Sequence, residues 1–273
     1  MPDAENLIDT LKLERIEVNL FRGTAPANQG PRIFGGHVIA QALLAAYETV
    51  QDRVCHSLHC YFIRPGDPSV PILYDVDRAR DGRTFTTRRV TAIQHGEQIF
   101  NLASSFQVPE TGLEHQDDMP GVIPPANLAP DERQGDRARP IEMRHVDPHD
   151  FSSPNVSPPI QNIWMRAAAP LGDDVAINQA VIAYASDMSF LSTGMRPHGL
   201  FWQTPGLQTA SLDHALWFHR PSQFNDWHLF AQKSPSASGA RSFNLGEIYN
   251  ADGRLVASMA QEGLMRYRPP AAS

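Results

Sequence analysis

The sequence predicts an α+β fold built from two copies of one unit, each a helix followed by an antiparallel meander. Three observations carry this. A helical stripe leads into four strand-like runs in the first half, the same order returns in the second half, and matching residues keep a constant spacing.

In the first copy the run GGHVIAQALLAAYETV, ending at Val50, sets Ile39, Leu43 and Ala46 three or four residues apart, the stripe of a helix. Strand-like runs follow at 57–63, 72–80, 84–94 and 97–107, with His95-Gly96 as a tight turn between the last two. The second copy repeats the grammar. A helix-like run covers 177–195, and strands follow at 209–219, 227–234, 241–249 and 254–265, with Asp252-Gly253 as the matching hairpin turn.

The copies align residue by residue. Tyr61-Phe62-Ile63-Arg64-Pro65 answers Trp217-Phe218-His219-Arg220-Pro221, Phe85 answers Phe243, Gly96 answers Gly253 and Ala103 answers Ala260, an offset of roughly 156–158 throughout. Each helix can bury its stripe only against its own meander, which makes each copy a helix wrapped by a sheet. Prolines crowd the stretch between the copies, as at Pro120, Pro124-Pro125, Pro130, Pro140 and Pro158-Pro159. Proline removes backbone donors and bars helix interiors, so this stretch reads as a surface linker. The expected organisation is an N-terminal unit over 1–112, a linker over 113–168, a C-terminal unit over 169–268 and a tail over 269–273.

Of the 273 residues, 41% are apolar, a normal supply for a core. Lys and Arg total 23 against 30 Asp and Glu, a formal net charge of -7, which gives no electrostatic reason to expect nucleic acid. The one basic run, Arg78, Arg80, Arg83, Arg88 and Arg89, reads as a solvated surface, with contact to an anionic phosphate as the alternative. No apolar run reaches the length of a membrane helix, and Met1 to Leu13 lacks a signal peptide's apolar core. The final Ala271-Ala272-Ser273 is no Ser-Lys-Leu address, and Cys55 and Cys60 are too few for a disulfide framework. The expectation is a cytoplasmic protein without a membrane partner.

A wrapped helix duplicated in one chain resembles the double hotdog architecture. Strings along the chain sharpen the resemblance to the acyl-CoA thioesterase II family. In the first half these are the Gly35-Gly36-His37-Val38 helix start, HSLHCYFIRPGDP from His56, PILYDVDRARDGRTF from Pro71, and RRVTAIQHG followed by ASSFQ. In the second they are YASD at Tyr184–Asp187, SLDHALWFHRP at Ser211–Pro221, SASGAR at Ser236–Arg241 and QEGLMR at Gln261–Arg266. The resemblance implies acyl-CoA as substrate, no cofactor, self-association of copies, and an attacking water held by Asp187, Ser211 and Gln261. The chain departs from the family pattern twice. Ser211 stands where Thr is frequent, which keeps the hydroxyl and loses the rotamer-restricting methyl. His37 stands where Gln is frequent.

These residue types suit thioester hydrolysis. A carboxylate such as Asp187 can take a proton from water, an effect typically worth about 10²–10⁴-fold. Ser211 and Gln261 can accept or donate hydrogen bonds and so suit positioning. Backbone N–H groups of Gly36 and His37, at the start of a helix, are candidate donors to the oxyanion. Each position also has a structural reading. Asp187, with Ala183 and Leu191 at helical spacing, faces inward and needs a partner; Gln261 shares strand parity with Leu255, Ala257 and Met259 and is equally a buried structural amide. Ser211 carries no signal of its own.

The run Cys55-His56-Ser57-Leu58-His59-Cys60 has the composition of a metal site. Strict alternation would send Cys55 and His59 to one face and His56 and Cys60 to the other, so no metal is expected. His198, His214 and His219 could serve acid–base work, yet there is no G-x-S-x-G nucleophile elbow. Two rivals stand beside hydrolysis: a hotdog hydratase or dehydratase of enoyl or hydroxyacyl thioesters, which would want a His base, and a non-catalytic acyl-CoA sensor.

Overall fold

Apolar residues recur at every second position in the predicted strands, and in the computed structural model that pattern becomes one antiparallel sheet; residues 7–26, 30–130, 140–147 and 155–269 are described. A short helix α1 (Leu7–Leu11) and strands β1 (Glu14–Glu17) and β2 (Leu20–Gly23) precede helix α2 (Gly35–Tyr47). The first half's strands are β3 (Val54–Phe62), β4 (Ile72–Asp81), β5 (Phe85–Gln94) and β6 (Glu97–Gln107), which pair in the order β4-β5-β6-β3, so β3 lies beside β6 and not beside β4 as the expected meander would have it. Then come β7 (Ile141–His145), β8 (Ile160–Ala167), helix α3 (Val175–Ser186) and the one-turn α4 (Ser192–Met195). The second half's strands are β9 (Leu207–Ser211), β10 (Asp213–Phe218), β11 (His228–Ser238), β12 (Arg241–Asn250) and β13 (Leu255–Tyr267), and here too the first long strand, β10, returns beside the last, β13.

The strand order is β1-β2-β4-β5-β6-β3-β10-β13-β12-β11-β8-β7, with β9 alongside β13. It reads the same from either end: β3 and β10 meet at the centre, followed outward by β6 and β13, β5 and β12, β4 and β11. The central pairing sets Leu58 opposite Leu216 and Tyr61 opposite Asp213, so one ladder runs through both halves. Helices α2 and α3 pack on each other, and nearly every residue of α2 from Gly36 to Ala46 is buried. One core, with Ile39, Leu43, Leu58, Phe106, Val181 and Leu216 at its centre, spans the two halves. No helix among the described residues is long and apolar enough to cross a membrane.

Other sequence expectations change as well. The stretch read as a linker over 113–168 contains β7 and β8, and β8 pairs along β11 with Ile163 opposite Phe230. Ile141 and Met143 are buried at alternate positions of β7, a strand pattern hidden by the prolines that flank it. Within that stretch residues 131–139 and 148–154 lie outside the described residues, as do 1–6 and 270–273. The helix expected over 177–195 stops at Ser186, because Ser189 turns to a φ of 59°, outside the helical region, before α4 begins. The strand expected over 209–219 divides at Leu212. Finally, strict alternation fails in β3. A register shift between Cys55 and Ser57 leaves both cysteines buried and free, His56 half-buried and His59 exposed.

The basic run is also not all surface. Arg88 is 1% exposed. Its guanidinium donates to Thr49 O (2.9 Å) and Thr49 Oγ1 (2.7 Å) just past the end of α2, to Arg80 O and Thr87 O, and to Asp81 Oδ1 at 2.6 Å. A cation thus satisfies a carbonyl beyond a helix C-terminus, where the helix dipole favours positive charge. Arg78, Arg80, Arg83 and Arg89 remain exposed. Arg88→Leu should strand the Thr49 acceptors and lower stability by about 2–4 kcal/mol. A denaturation midpoint equal to the parent's would show that Thr49 finds other partners.

Candidate active site

Asp187 is the C-cap of α3, with φ -83° and ψ -12°, rather than a residue on the helix's inner stripe. Its carboxyl crosses to the other copy. Helix α2 has no side-chain cap of its own at Phe34, and the Gly36 N–H donates to the Asp187 carboxylate. A negative group at a helix N-terminus is favourable. The approach is close: a Cβ added to Gly35 would stand 2.7 Å from Asp187 Oδ2 and 2.8 Å from the Phe62 ring. Only glycine leaves room there.

Two strands complete the cluster. Ser211 ends β9 opposite Gly263 of β13, and its Oγ donates to Asp187 Oδ1 at 3.3 Å. The break at Leu212 aims it: Leu212 N donates to Glu262 O (3.0 Å), while the Asp213 carboxylate accepts from Glu262 N (2.6 Å). Gln261 is 1% exposed on the inner face of β13, as its parity predicted, and its Nε2 donates to Asp187 Oδ1 at 2.6 Å. Thus the three residues named from the resemblance meet around one carboxyl.

Burial of that carboxyl raises the Asp187 pKa to about 6, although the residue as a whole is only half-buried. The bonds from Gln261, Ser211 and the Gly36 N–H pull in the opposite direction and prevent a larger rise. A carboxyl tuned to this range exchanges protons readily near neutral pH.

Not every expectation joins the cluster. The His37 N–H donates to Phe34 O (3.1 Å) and its Nε2 bonds Thr24 O (3.0 Å), so its amide is already engaged. Burial lowers the His37 pKa. The Gly36 amide is engaged too, by Asp187. A Cβ at Gly36 would stand 2.3 Å from Tyr184 O, so a substitution there reports packing before chemistry. His219 bonds Ser258 Oγ (2.9 Å) on an exposed edge, away from the carboxyl. His214, which the sequence offered for acid–base work, does join the cluster: its Nδ1 lies 3.2 Å from Gln261 Nε2. Its neighbouring position in DHALWFHRP was the available signal.

Among the described residues the first half holds no equivalent. The offset that pairs Ala103 with Ala260 sets Ser104 against Gln261, and the offset that pairs Tyr61 with Trp217 sets Leu58 against His214. Helix α2 ends in Tyr47, whose hydroxyl bonds Gln179 Oε1 (2.5 Å) and accepts from Cys55 N (2.8 Å), and its C-cap Glu48 is exposed. Clefts of about 130 and 230 Å³ lie at that end of the helix pair, both lined by Gln179, Arg220 and Pro221, and neither by Asp187. No group of three or more His, Cys, Asp and Glu among the described residues could hold a metal.

Known proteins match along the whole chain. A family model described as acyl-CoA thioesterase matches residues 138–264, and one described as the acyl-CoA thioesterase N-terminal domain matches residues 24–107. The first of these takes in β7 and β8. Acyl-CoA thioesterase 2 of Haemophilus influenzae is 38% identical, covering 96% of this chain and 97% of its own. Acyl-coenzyme A thioesterase 8 of Homo sapiens is also 38% identical, over 95% of this chain and 88% of its own. The crystal structure of an acyl-CoA thioesterase II, TesB2, from Mycobacterium marinum superposes with a TM-score of 0.84 at 42% identity, covering 96% of this chain and 98% of that one. A hot dog fold protein from Alicyclobacillus acidocaldarius, 20% identical, superposes with a TM-score of 0.81 over 96% of this chain and 98% of its own, which speaks for the fold alone. The architecture is therefore an α+β hotdog fold, and the chain belongs to the acyl-CoA thioesterase family.

Proposed function

We propose that this chain hydrolyses fatty acyl-CoA to free fatty acid and CoA, using a water activated by Asp187 and positioned by Ser211 and Gln261. The observation that carries the reading is the convergence of two donors on one carboxyl oxygen. Ser211 and Gln261 both bond Asp187 Oδ1, so the oxygen left to take a proton is Oδ2, on the side of Gly35. The water gives its proton to Oδ2 as its oxygen attacks the thioester carbonyl. The tetrahedral intermediate then breaks its C–S bond, and the proton on Asp187 goes to the departing CoA sulfur. As Asp187 is neutralised its hold on the Gly36 N–H weakens, which frees that donor for the oxyanion, a contribution typically worth about 2.7–4 kcal/mol.

We read the architecture as a double hotdog of two fused units, each wrapping one helix, with a single working site because only the second copy carries the Asp-Ser-Gln set. Self-association belongs to the same reading; Tyr61, 61% exposed on the outer face of β3, and Trp217, 37% exposed on β10, offer apolar surface for it. The free buried thiols of Cys55 and Cys60 suit a reducing cytoplasm.

Asp187→Asn should keep acyl-CoA binding and lose about 10²–10⁴-fold in kcat. Unchanged turnover would mean the base has been misassigned, and tight binding without turnover by the parent would favour a sensor. Steady thiol release from a saturated acyl-CoA supports hydrolysis; activity confined to enoyl substrates would favour the hydratase. The pH profile follows from the raised pKa. Asp187 must be ionised to accept the proton, so kcat/KM should rise with pH through about 6 and then level; a flat profile down to pH 4 would count against it.

Stability should move the other way. With its folded pKa above the unfolded value, Asp187 holds its proton longer in the folded protein, so its charging costs stability as pH rises from about 4 through 6. At pH 8 Asp187→Asn should therefore melt no lower than the parent. A clear fall in Tm would show that the ionised carboxylate stabilises the fold on balance.

A further inference from the structure

His214 has no part in the steps above, yet it is 1% exposed and lies against Gln261. The hydrogens around it can be assigned in turn. Ser186 Oγ gives its single hydrogen to Ala183 O at 2.9 Å. Toward His214 it can then only accept, so His214 Nε2, 2.9 Å away, carries the ring proton. Burial keeps the imidazole neutral, its pKa pushed down to about 3, and Nδ1 is left as a bare acceptor. Gln261 Nε2 stands 3.2 Å from Nδ1 and 2.6 Å from Asp187 Oδ1, one acceptor for each of its two hydrogens. Turning the amide over would set its oxygen against a carboxylate and a lone pair at once.

We propose that His214, anchored through Ser186 to the Ala183 carbonyl, is a positioning residue that fixes the Gln261 amide with its nitrogen toward Asp187 and its oxygen toward the attacking water. The proposal rests on the hydrolytic reading and deepens it. With both hydrogens committed, the amide nitrogen has none for the oxyanion, so Gln261 acts on the water through Oε1. That oxygen is buried and takes no hydrogen bond from the protein, an acceptor whose burial would otherwise go uncompensated. The bond from Nε2 also steadies the ionised form of Asp187. Release of the amide should therefore shift the carboxyl's titration upward.

Other titratable groups are packed nearby. Cys60 on β3, its thiol pKa raised by burial, interacts electrostatically with Asp187 and with Asp213 of β10; Asp213 itself has its carboxyl engaged by Glu262 N. Both are present in every variant below, so neither accounts for a difference between them.

The test is kcat and KM against a saturated acyl-CoA from about pH 5 to pH 9. His214→Leu should lower kcat about 10–100-fold with KM within about twofold, as misplacement of a reacting group does. Its acid limb should move up by roughly half to one pH unit as Asp187 loses a donor. His214→Asn, whose side-chain oxygen can take the place of Nδ1, should restore the limb. Joining His214→Leu to Gln261→Ala should move it no further than Gln261→Ala alone. Should His214→Leu fail to fold, Ser186→Ala, which removes only the anchor, should give the same shift at smaller size. An acid limb that stays put in both His214→Leu and Ser186→Ala overturns the proposal while leaving the role of Asp187 intact. A parent profile without any acid limb overturns the reading of Asp187 and this proposal with it.

Discussion

The Asp187 carboxylate joins the two copies chemically, and much of the architecture answers to it. It leaves the end of α3 and terminates the start of α2, so one charged group serves both central helices. Its surroundings are dry enough to raise its pKa and bonded enough to keep it ionisable near neutral pH. The glycine pair at the head of α2 is part of the same constraint, since any side chain at Gly35 would displace either the carboxylate or Phe62. The break between β9 and β10 is another part, because it turns Ser211 toward the same oxygen that Gln261 reaches from β13.

Of the two central helix ends, only that of α3 carries such a carboxylate cluster among the described residues. At the end of α2 a tyrosine hydroxyl closes on Gln179 and a backbone amide, a set without any group able to take a proton near neutral pH. Burial holds Tyr47 well above the usual phenol range, which makes it a donor and not a base. On the proposed reading the carboxylate end of the helix pair is the reactive one, while the Tyr47 end ties the halves together through Gln179 and Cys55.

Much of the fold was legible because period and spacing are local signals. Alternation in β4, β5, β6, β12 and β13 placed those strands within a residue or two, and the offset between the halves foretold a repeated set of strands, though not their order. β7 and β8 were hidden, since proline-rich flanks mask short strands whose partners lie far along the chain. Arg88 misled for a related reason: a cation in a basic run reads as surface until the helix end that needs it is in view. In the site, parity placed Gln261 on the inner face. The convergence of Asp187 and Ser211 came only from resemblance, because residues on a helix end and a strand break share no local period. His214 was one of three histidines open to acid–base work, and its contact with Gln261 lay hidden because the two sit on different strands.

The central pairing of β3 with β10 has a consequence for the independence of the two halves. It replaces what would be two raw strand edges with an internal ladder, and raw edges invite pairing with any available chain. Either half alone would have to find a twin across that edge. A twin of the first half would bring two glycine-headed helices and no acid to meet them, and a twin of the second would bring two acids with no glycine pair to receive them. On the proposed reading the site takes its acid from one half and its glycine pair from the other, so neither half alone would hold it.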